Sequence, residues 1–327
     1  MKRDSLIKII TFILALGVVG VFYLFINAPS PTILPQPFSI TKGESVASIS
    51  YRLKQNDLIY SDILFRFYLK MANQTQNIKA GYYVIPSRAD MKTIIKLITT
   101  NHVASNGIFL IKEGDTLKEI DNNLHQQNIL SASQTITDLK IQDFQVEYPN
   151  LFHNIPVTNS LEGFLFPDSY HLPQGLTPQE IIAIFLNNFS EKTKDLNISY
   201  DKLILASILE KEVKTEEDKQ KVADILERRL QENIPLQVDA SICYAQNQSF
   251  NDCQLTKESF NLDSPYNTYQ NRGLPPTPIS NPGLVSIKAS LKPLPNDYWY
   301  YLTNRKTSET IFSKTLEEHE LARKKYL

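Results

Sequence analysis

The segment Lys202–Val213 (KLILASILEKEV) carries the residue best placed for chemistry. Wound as a helix at 100° per residue, it aligns Leu205, Ile208 and Leu209 in one apolar stripe, with Glu212 in its middle. Glu212 lies i+7, i+4 and i+3 from those residues, the spacing of a single buried face. Glu210 and Lys211 turn away from the centre of the stripe. A carboxyl on a core-facing stripe loses hydration, which raises its pKa toward neutrality. That is the property of a general acid. The alternative is a Glu at the edge of a core, satisfied by an arginine or a backbone amide.

Several elements must position this helix. Thr177–Thr193 reads as a helix with a proline in its first turn. Glu216–Glu232 reads as another, and on it Arg229 sits on the stripe of Val222, Ile225 and Leu226. Leu236-Gln237-Val238-Asp239 reads as the start of a strand, Tyr298–Leu302 as a strand, and Leu316–Leu327 as a polar closing helix. Between them runs a loop rich in Pro, Gly, Asn and Tyr, from Ser264 to Gly283. Helices and strands mix without a regular βαβ rhythm, so the expected class is α+β.

Toward the N-terminus an internal repeat appears. Ile40-Thr41-Lys42-Gly43-Glu44-Ser45-Val46 recurs as Ile111-Lys112-Glu113-Gly114-Asp115-Thr116-Leu117. Each unit reads as a strand, a glycine turn, a Ser/Thr cap and a helix. Ser45 and Thr116 are therefore caps rather than nucleophiles. Ahead of the repeat, Pro29, Pro31, Pro35 and Pro37 make a stiff spacer. Ile9–Ile26 holds no charged residue and follows Lys2, Arg3 and Lys8. With Leu6 and Ile7 the run reaches about 20 residues, enough for one membrane span with the positive flank inside. A cleaved signal peptide is the alternative, although its apolar region is shorter, roughly 7–15 residues.

The chain has 327 residues, 42% of them hydrophobic, and a net charge of −1. That is globular material for two or three domains, with no basic domain or arm to bind nucleic acid. Cys243 and Cys253 either close a small disulfide loop or remain two thiols, and they form no His–Cys cluster for zinc.

Several motifs in one order carry a family resemblance. They are Lys79-Ala80-Gly81-Tyr82-Tyr83, Glu162-Gly163-Phe164-Leu165-Phe166-Pro167-Asp168 and Ala206-Ser207-Ile208-Leu209-Glu210-Lys211-Glu212. Arg229-Leu230, Leu236-Gln237-Val238-Asp239, Tyr266-Asn267-Thr268-Tyr269, Gly273-Leu274-Pro275-Pro276 and Asn281-Pro282-Gly283 follow. The ordered set resembles the YceG-like endolytic murein transglycosylases, the MltG family, over nearly the whole chain. Val238 stands where a Thr is usual, Asn233 where a Gly is frequent, and Glu227-Arg228 where Ile-Asn is usual. The first repeat unit, closed by Ala80–Pro86, resembles a LysM domain, which binds glycan or simply acts as a spacer.

The resemblance implies cleavage of the β-1,4 bond between N-acetylmuramic acid and N-acetylglucosamine within peptidoglycan strands, leaving 1,6-anhydro ends. Glu212 is the implied catalytic acid and base. Glu162, Arg229, Gln237, Asp239, Tyr266, Asn267 and Tyr269 are the implied substrate-binding residues, and neither metal nor cofactor is expected. Arg229 paired with Glu212 would favour its ionised form, so Arg229 is expected to engage Asp239, Glu162 or a substrate carboxylate, or else to snorkel outward. For Glu162 and the tyrosines, a turn cap and core packing are the competing roles.

The expected layout is a cytoplasmic tail (1–5), a transmembrane anchor in the inner membrane (6–27), a Pro-rich linker (28–37) and a LysM-like βααβ module (38–105). A second repeat unit and connector (106–158) and a mixed α+β catalytic domain (159–327) complete it. The catalytic part would lie outside the cytoplasmic membrane, with peptidoglycan strands as substrate and cell-wall synthases as partners. A non-catalytic glycan-binding scaffold and a two-carboxylate muramidase, pairing Glu212 with Glu162 or Asp239, are the alternatives.

Overall fold

The computed structural model describes residues 11–13, 16, 17, 20, 22–32, 35–100, 108–172, 175–250, 252–304, 307 and 309–326. Its contacts divide the chain into two compact units, Met1–Ile108 with His171–Ile184, and Phe109–Tyr170 with Phe185–Leu327.

The first unit is built on β1 (Gln36–Ile40), α1 (Val46–Gln55), α2 (Asp62–Met71) and β2 (Gly81–Ile85), followed by α3 (Met91–Thr100). The two strands pair antiparallel, with Phe38 opposite Tyr83. Ser45 and Ser61 cap the two helices, each accepting a backbone N–H three residues on, which satisfies donors that a helix start leaves open. Phe65, Leu53, Ile85, Ile94 and Ile98 fill its core.

The expected membrane-spanning helix over 6–27 requires correction: among the described residues no helix is long and apolar enough to cross a membrane. Residues 6–10, 14, 15, 18, 19 and 21 of that run lie outside the described residues. The described stretch 22–27 is helical but spends part of its apolar surface on protein. Ile26 is buried in the first unit's core, and Phe22 packs edge-on against Phe67 with ring centroids 5.3 Å apart.

Next in the chain, β3 (Ile108–Leu110) pairs with β4 (Ser169–His171), and α4 (Leu117–Gln126) is the first helix of the second unit. Thr116 and Glu119 form a reciprocal capping box on α4. After α5 (Pro178–Thr193) come α6 (Tyr200–Glu212), α7 (Glu216–Gln231), α8 (Asp239–Ala245), α9 (Leu284–Leu291), β5 (Tyr300–Thr303), β6 (Thr310–Ser313) and α10 (Leu316–Tyr326). Leu236–Asp239 is thus no strand: Asp239 begins a helix.

Helix α6 is the axle of this unit. Every residue from Leu203 to Leu209 is buried, so the helix has no single apolar stripe but is enclosed on nearly all sides. Its neighbours are α7, α8 and α9, with Val222, Leu226, Val238 and Ala289 packed around Ile208 and Leu209. Small polar groups let the long loop lie against it: the Ser207 hydroxyl accepts from Ile279 N at 3.0 Å, and the Ser280 hydroxyl donates to the Ser207 carbonyl at 3.0 Å.

Candidate active site

Glu212 is the last residue of α6, because Val213 turns extended (φ −143°, ψ 156°) and ends the helix. A carbonyl at a helix end has no intrahelical donor, and that of Glu212 accepts from the Thr303 hydroxyl at 3.1 Å. Its carboxyl faces the Tyr301 hydroxyl and the backbone N–H of Ala240 in the first turn of α8, both of which favour its ionised form. Burial, and then the neighbouring Asp239 carboxylate, push the Glu212 pKa up to about 7 against the pull of those two donors. No basic side chain among the described residues forms an ion pair with it.

An open cleft of about 1030 Å³ surrounds this carboxyl. Of the sequence-derived site residues, Glu212, Arg229, Gln237, Asp239 and Tyr269 line it together. Asp239 accepts from the Tyr269 hydroxyl at 2.6 Å, and the Tyr269 ring meets Phe260 edge-on at 4.8 Å. Gln237 adopts a left-handed conformation, φ 56°, uncommon for a residue with a side chain. Thr268 fixes the turn there, its carbonyl taking Gln237 N at 3.1 Å and its hydroxyl taking Val238 N at 2.9 Å.

Arg229 departs from the carboxylate pairing expected of it. Its guanidinium is buried, and its donors go to Trp299 O (3.0 Å), Pro235 O (3.2 Å), Leu236 O (3.4 Å) and the Gln237 side chain (3.3 Å). It also lies over the Tyr300 ring, 5.2 Å from its centroid. Burial lowers its pKa. The side chain ties α7 to the chain entering β5 and forms no ion pair with Glu212.

Glu162, Tyr266 and Asn267 do not line the cleft. Buried Glu162 accepts from Leu117 N (2.9 Å), Asn281 Nδ2 (3.0 Å) and the Tyr244 hydroxyl (3.1 Å). Burial dominates those donors and pushes its pKa up to about 8. Asn281 continues the network: its Oδ1 accepts from Gly163 N and Leu165 N, and its Nδ2 donates to Asp115 O. Gly163, at φ +90°, leaves no room for a Cβ, which would meet Pro278 Cγ at 2.6 Å. Asn267 is fully enclosed and binds Phe260 O and Leu262 O, while the Tyr266 hydroxyl meets Thr277 at 2.8 Å. These three residues hold the loops that shape the cleft.

Sequence reasoning missed Tyr301, which faces Glu212, and Phe250, Tyr300 and His319; all four line the cleft. The aromatic run Tyr298–Tyr301 was a visible signal for a strand. Which ring met Glu212, some ninety positions away, carried no periodicity. Glu210 also departs from expectation, being buried in an ion pair with Lys219 at 2.8 Å. Cys243 and Cys253 are joined as a disulfide, closing the loop that carries Phe250 onto α8. The family departures are absorbed locally: Glu227 pairs with Lys202, Arg228 with Asp224 at 3.0 Å, and Asn233 takes the left-handed turn at φ 56°.

The chain belongs to the YceG-like family, whose profile matches residues 38–325. It is 32% identical over 306 residues to an endolytic murein transglycosylase of Bacillus subtilis (strain 168), covering 88% of this chain and 84% of that protein. It is 28% identical over 312 residues to an endolytic murein transglycosylase of Streptococcus pneumoniae serotype 2, covering 86% of this chain but 56% of that longer protein. The crystal structure of a YceG-like protein from Listeria monocytogenes superposes with a TM-score of 0.59 at 30% identity, over 88% of this chain and 99% of that one.

Proposed function

We propose that this protein is an endolytic lytic transglycosylase of peptidoglycan, with Glu212 as its only proton-transfer residue. The observation that carries this reading is the Glu212 carboxyl, pushed up to about 7 in an open cleft and free of any cation among the described residues. Ordinary glycoside hydrolysis uses two carboxyl groups. Here one suffices, because the attacking oxygen belongs to the substrate. Glu212 protonates the oxygen leaving from the muramoyl C1. As a carboxylate it then takes the proton of the C6 hydroxyl, whose oxygen closes on C1 to form the 1,6-anhydro end. A group that gives and then takes a proton works best with its pKa near the working pH.

Phe260 and Tyr269 bring aromatic rings to the cleft for sugars, and the cleft volume exceeds the need of a small ligand. The strand–helix–helix–strand unit is read as a LysM-like module, with the exposed rings of Tyr51, Tyr60 and Tyr82 available to glycan. The substrate and the disulfide both support an extracytoplasmic site of action, with cell-wall synthases as neighbours on the same strands.

The Asp239 carboxylate beside Glu212 favours one second reading, a muramidase that activates water. Mass spectrometry of products released by the purified full-length protein separates the readings. Anhydro ends support transglycosylation, reducing ends support the muramidase, and intact glycan would leave only a binding role.

A further inference from the structure

Strand β5 grips Glu212 at two points. The Thr303 hydroxyl holds its backbone carbonyl at 3.1 Å, and two residues earlier Tyr301 lines the cleft with its hydroxyl facing the Glu212 carboxyl. Side chains alternate along a strand, so Tyr301 and Thr303 share one face, and that face closes over the end of α6. β5 is itself fixed from both sides. Tyr301 pairs with Phe312 of β6, and Arg229 clamps the Trp299 carbonyl just ahead of the strand through Nε and Nη2.

The charges around this contact give it direction. Asp239 faces Glu212 from α8, and Tyr269 hydrogen-bonds Asp239 from the long loop. On the acid's own helix, Glu210 is neutralised by Lys219, while Lys211 turns toward Phe250. Arg229 does not touch Glu212, yet its charge acts on the Tyr301 hydroxyl. A cation beside a phenol makes it a stronger donor. The guanidinium therefore reaches the acid only through a neutral hydroxyl, which avoids the direct pairing that would lock Glu212 as a carboxylate.

We propose that Tyr301 is the positioning residue of this site: its hydroxyl, polarised by Arg229, aims the Glu212 carboxyl and stabilises it once the proton has left for the glycosidic oxygen. Tyr301 keeps its own proton throughout, because burial and the Glu212 carboxylate hold its pKa well above that of free tyrosine. It is a donor, not a relay. The proposal rests on the reading of Glu212 as proton donor.

The test is the titration of Glu212 in full-length protein carrying ¹³C-labelled glutamate carboxyls, followed by NMR and assigned by comparison with Glu212→Gln. Tyr301→Phe keeps the ring and removes the donor, so the titration should move up by about 1–2 pH units. The alkaline limb of kcat/KM should move with it, and kcat should fall while KM for the glycan strand holds. Phe312→Leu loosens the cross-strand partner without touching the acid and should leave the Glu212 titration in place. Replacing Tyr301 with 3-fluorotyrosine, a stronger donor of nearly the same shape, should move it down, and this variant decides the matter should Tyr301→Phe not fold. An unmoved titration in the folded Tyr301 variants, or an equal shift in Phe312→Leu, overturns the positioning role. The titration needs no turnover, so that failure is distinct from the absence of anhydro ends, which overturns the reading of the reaction.

Discussion

The Glu210 carboxylate lies 2.8 Å from the Lys219 ammonium, and both side chains are almost fully buried. Glu210 also accepts from Gly283 N and the Ser286 hydroxyl, each at 2.8 Å, and so fastens α6 to α7 and to the start of α9. Two residues on, Glu212 has no cation among the described residues and opens onto the cleft. One carboxylate is neutralised by a buried partner and ties helices together, while the other has no ion-pair partner among the described residues and faces the cleft.

That contrast predicts opposite defects from the same substitution. Glu210→Gln leaves Lys219 buried without its counter-charge, which should cost about 3 kcal/mol, while the fraction that remains folded still cleaves. Glu212→Gln should abolish cleavage with the fold intact. Calorimetry and product release per folded molecule measure the two separately. Equal loss of cleavage per folded molecule in both variants would contradict the division of roles.

The pH dependence of stability follows from the direction of the Glu212 shift. The folded pKa of about 7 lies above the unfolded value of about 4.5, so the native state holds its proton longer. Stability should therefore decline as pH rises through that window and level off above it. Glu212→Gln removes this decline, so at pH 8 the variant should be more stable than the parent by on the order of 2 kcal/mol. Denaturant melts at pH 5 and pH 8 check this. A variant less stable than the parent at pH 8 would contradict it.

Asp239 raises the Glu212 pKa through its charge. Asp239→Asn should therefore move the alkaline limb of kcat/KM to lower pH, leaving less of the acid form at neutrality. The pH profile on a defined glycan strand reads this, with circular dichroism confirming the fold. A limb that stays in place or moves upward would show that Asp239 does not set the acid.

Glu162 belongs to the framework. Removing it leaves Leu117 N, Asn281 and Tyr244 without their shared acceptor. Glu162→Ala should cost about 1–3 kcal/mol, lowering Tm by several degrees, while the Glu212 titration stays in place. A Glu162 variant with unchanged Tm but lost substrate affinity would place this residue in recognition instead.

The disulfide between Cys243 and Cys253 closes a short loop, worth about 2–3 kcal/mol by chain entropy. Reduction should lower Tm and weaken glycan binding together, because the same loop presents Phe250 to the cleft. Melts and binding isotherms with and without a phosphine reductant give the comparison.

Local order determined what the sequence by itself could tell. The helices capped at Ser45 and Thr116 and the strand near Tyr300 were legible from the spacing of neighbouring residues or from short motifs. Long-range contact decided the rest. Glu210 and Glu212 differ by two positions on one helix, and only the placement of Lys219, Asp239 and Tyr301 by other elements separates an ion-paired carboxylate from one whose pKa is raised. Leu236–Asp239 alternates like a strand, but Thr268 and Arg229 bind its backbone and Asp239 turns into a helix. The apolar run before Asn27 has the composition of a span, yet Phe22 and Ile26 pack on the first unit's core. Hydrophobic periodicity records that a side chain leaves water; the identity of what it then touches depends on segments dozens of residues away, which the tertiary fold alone brings together.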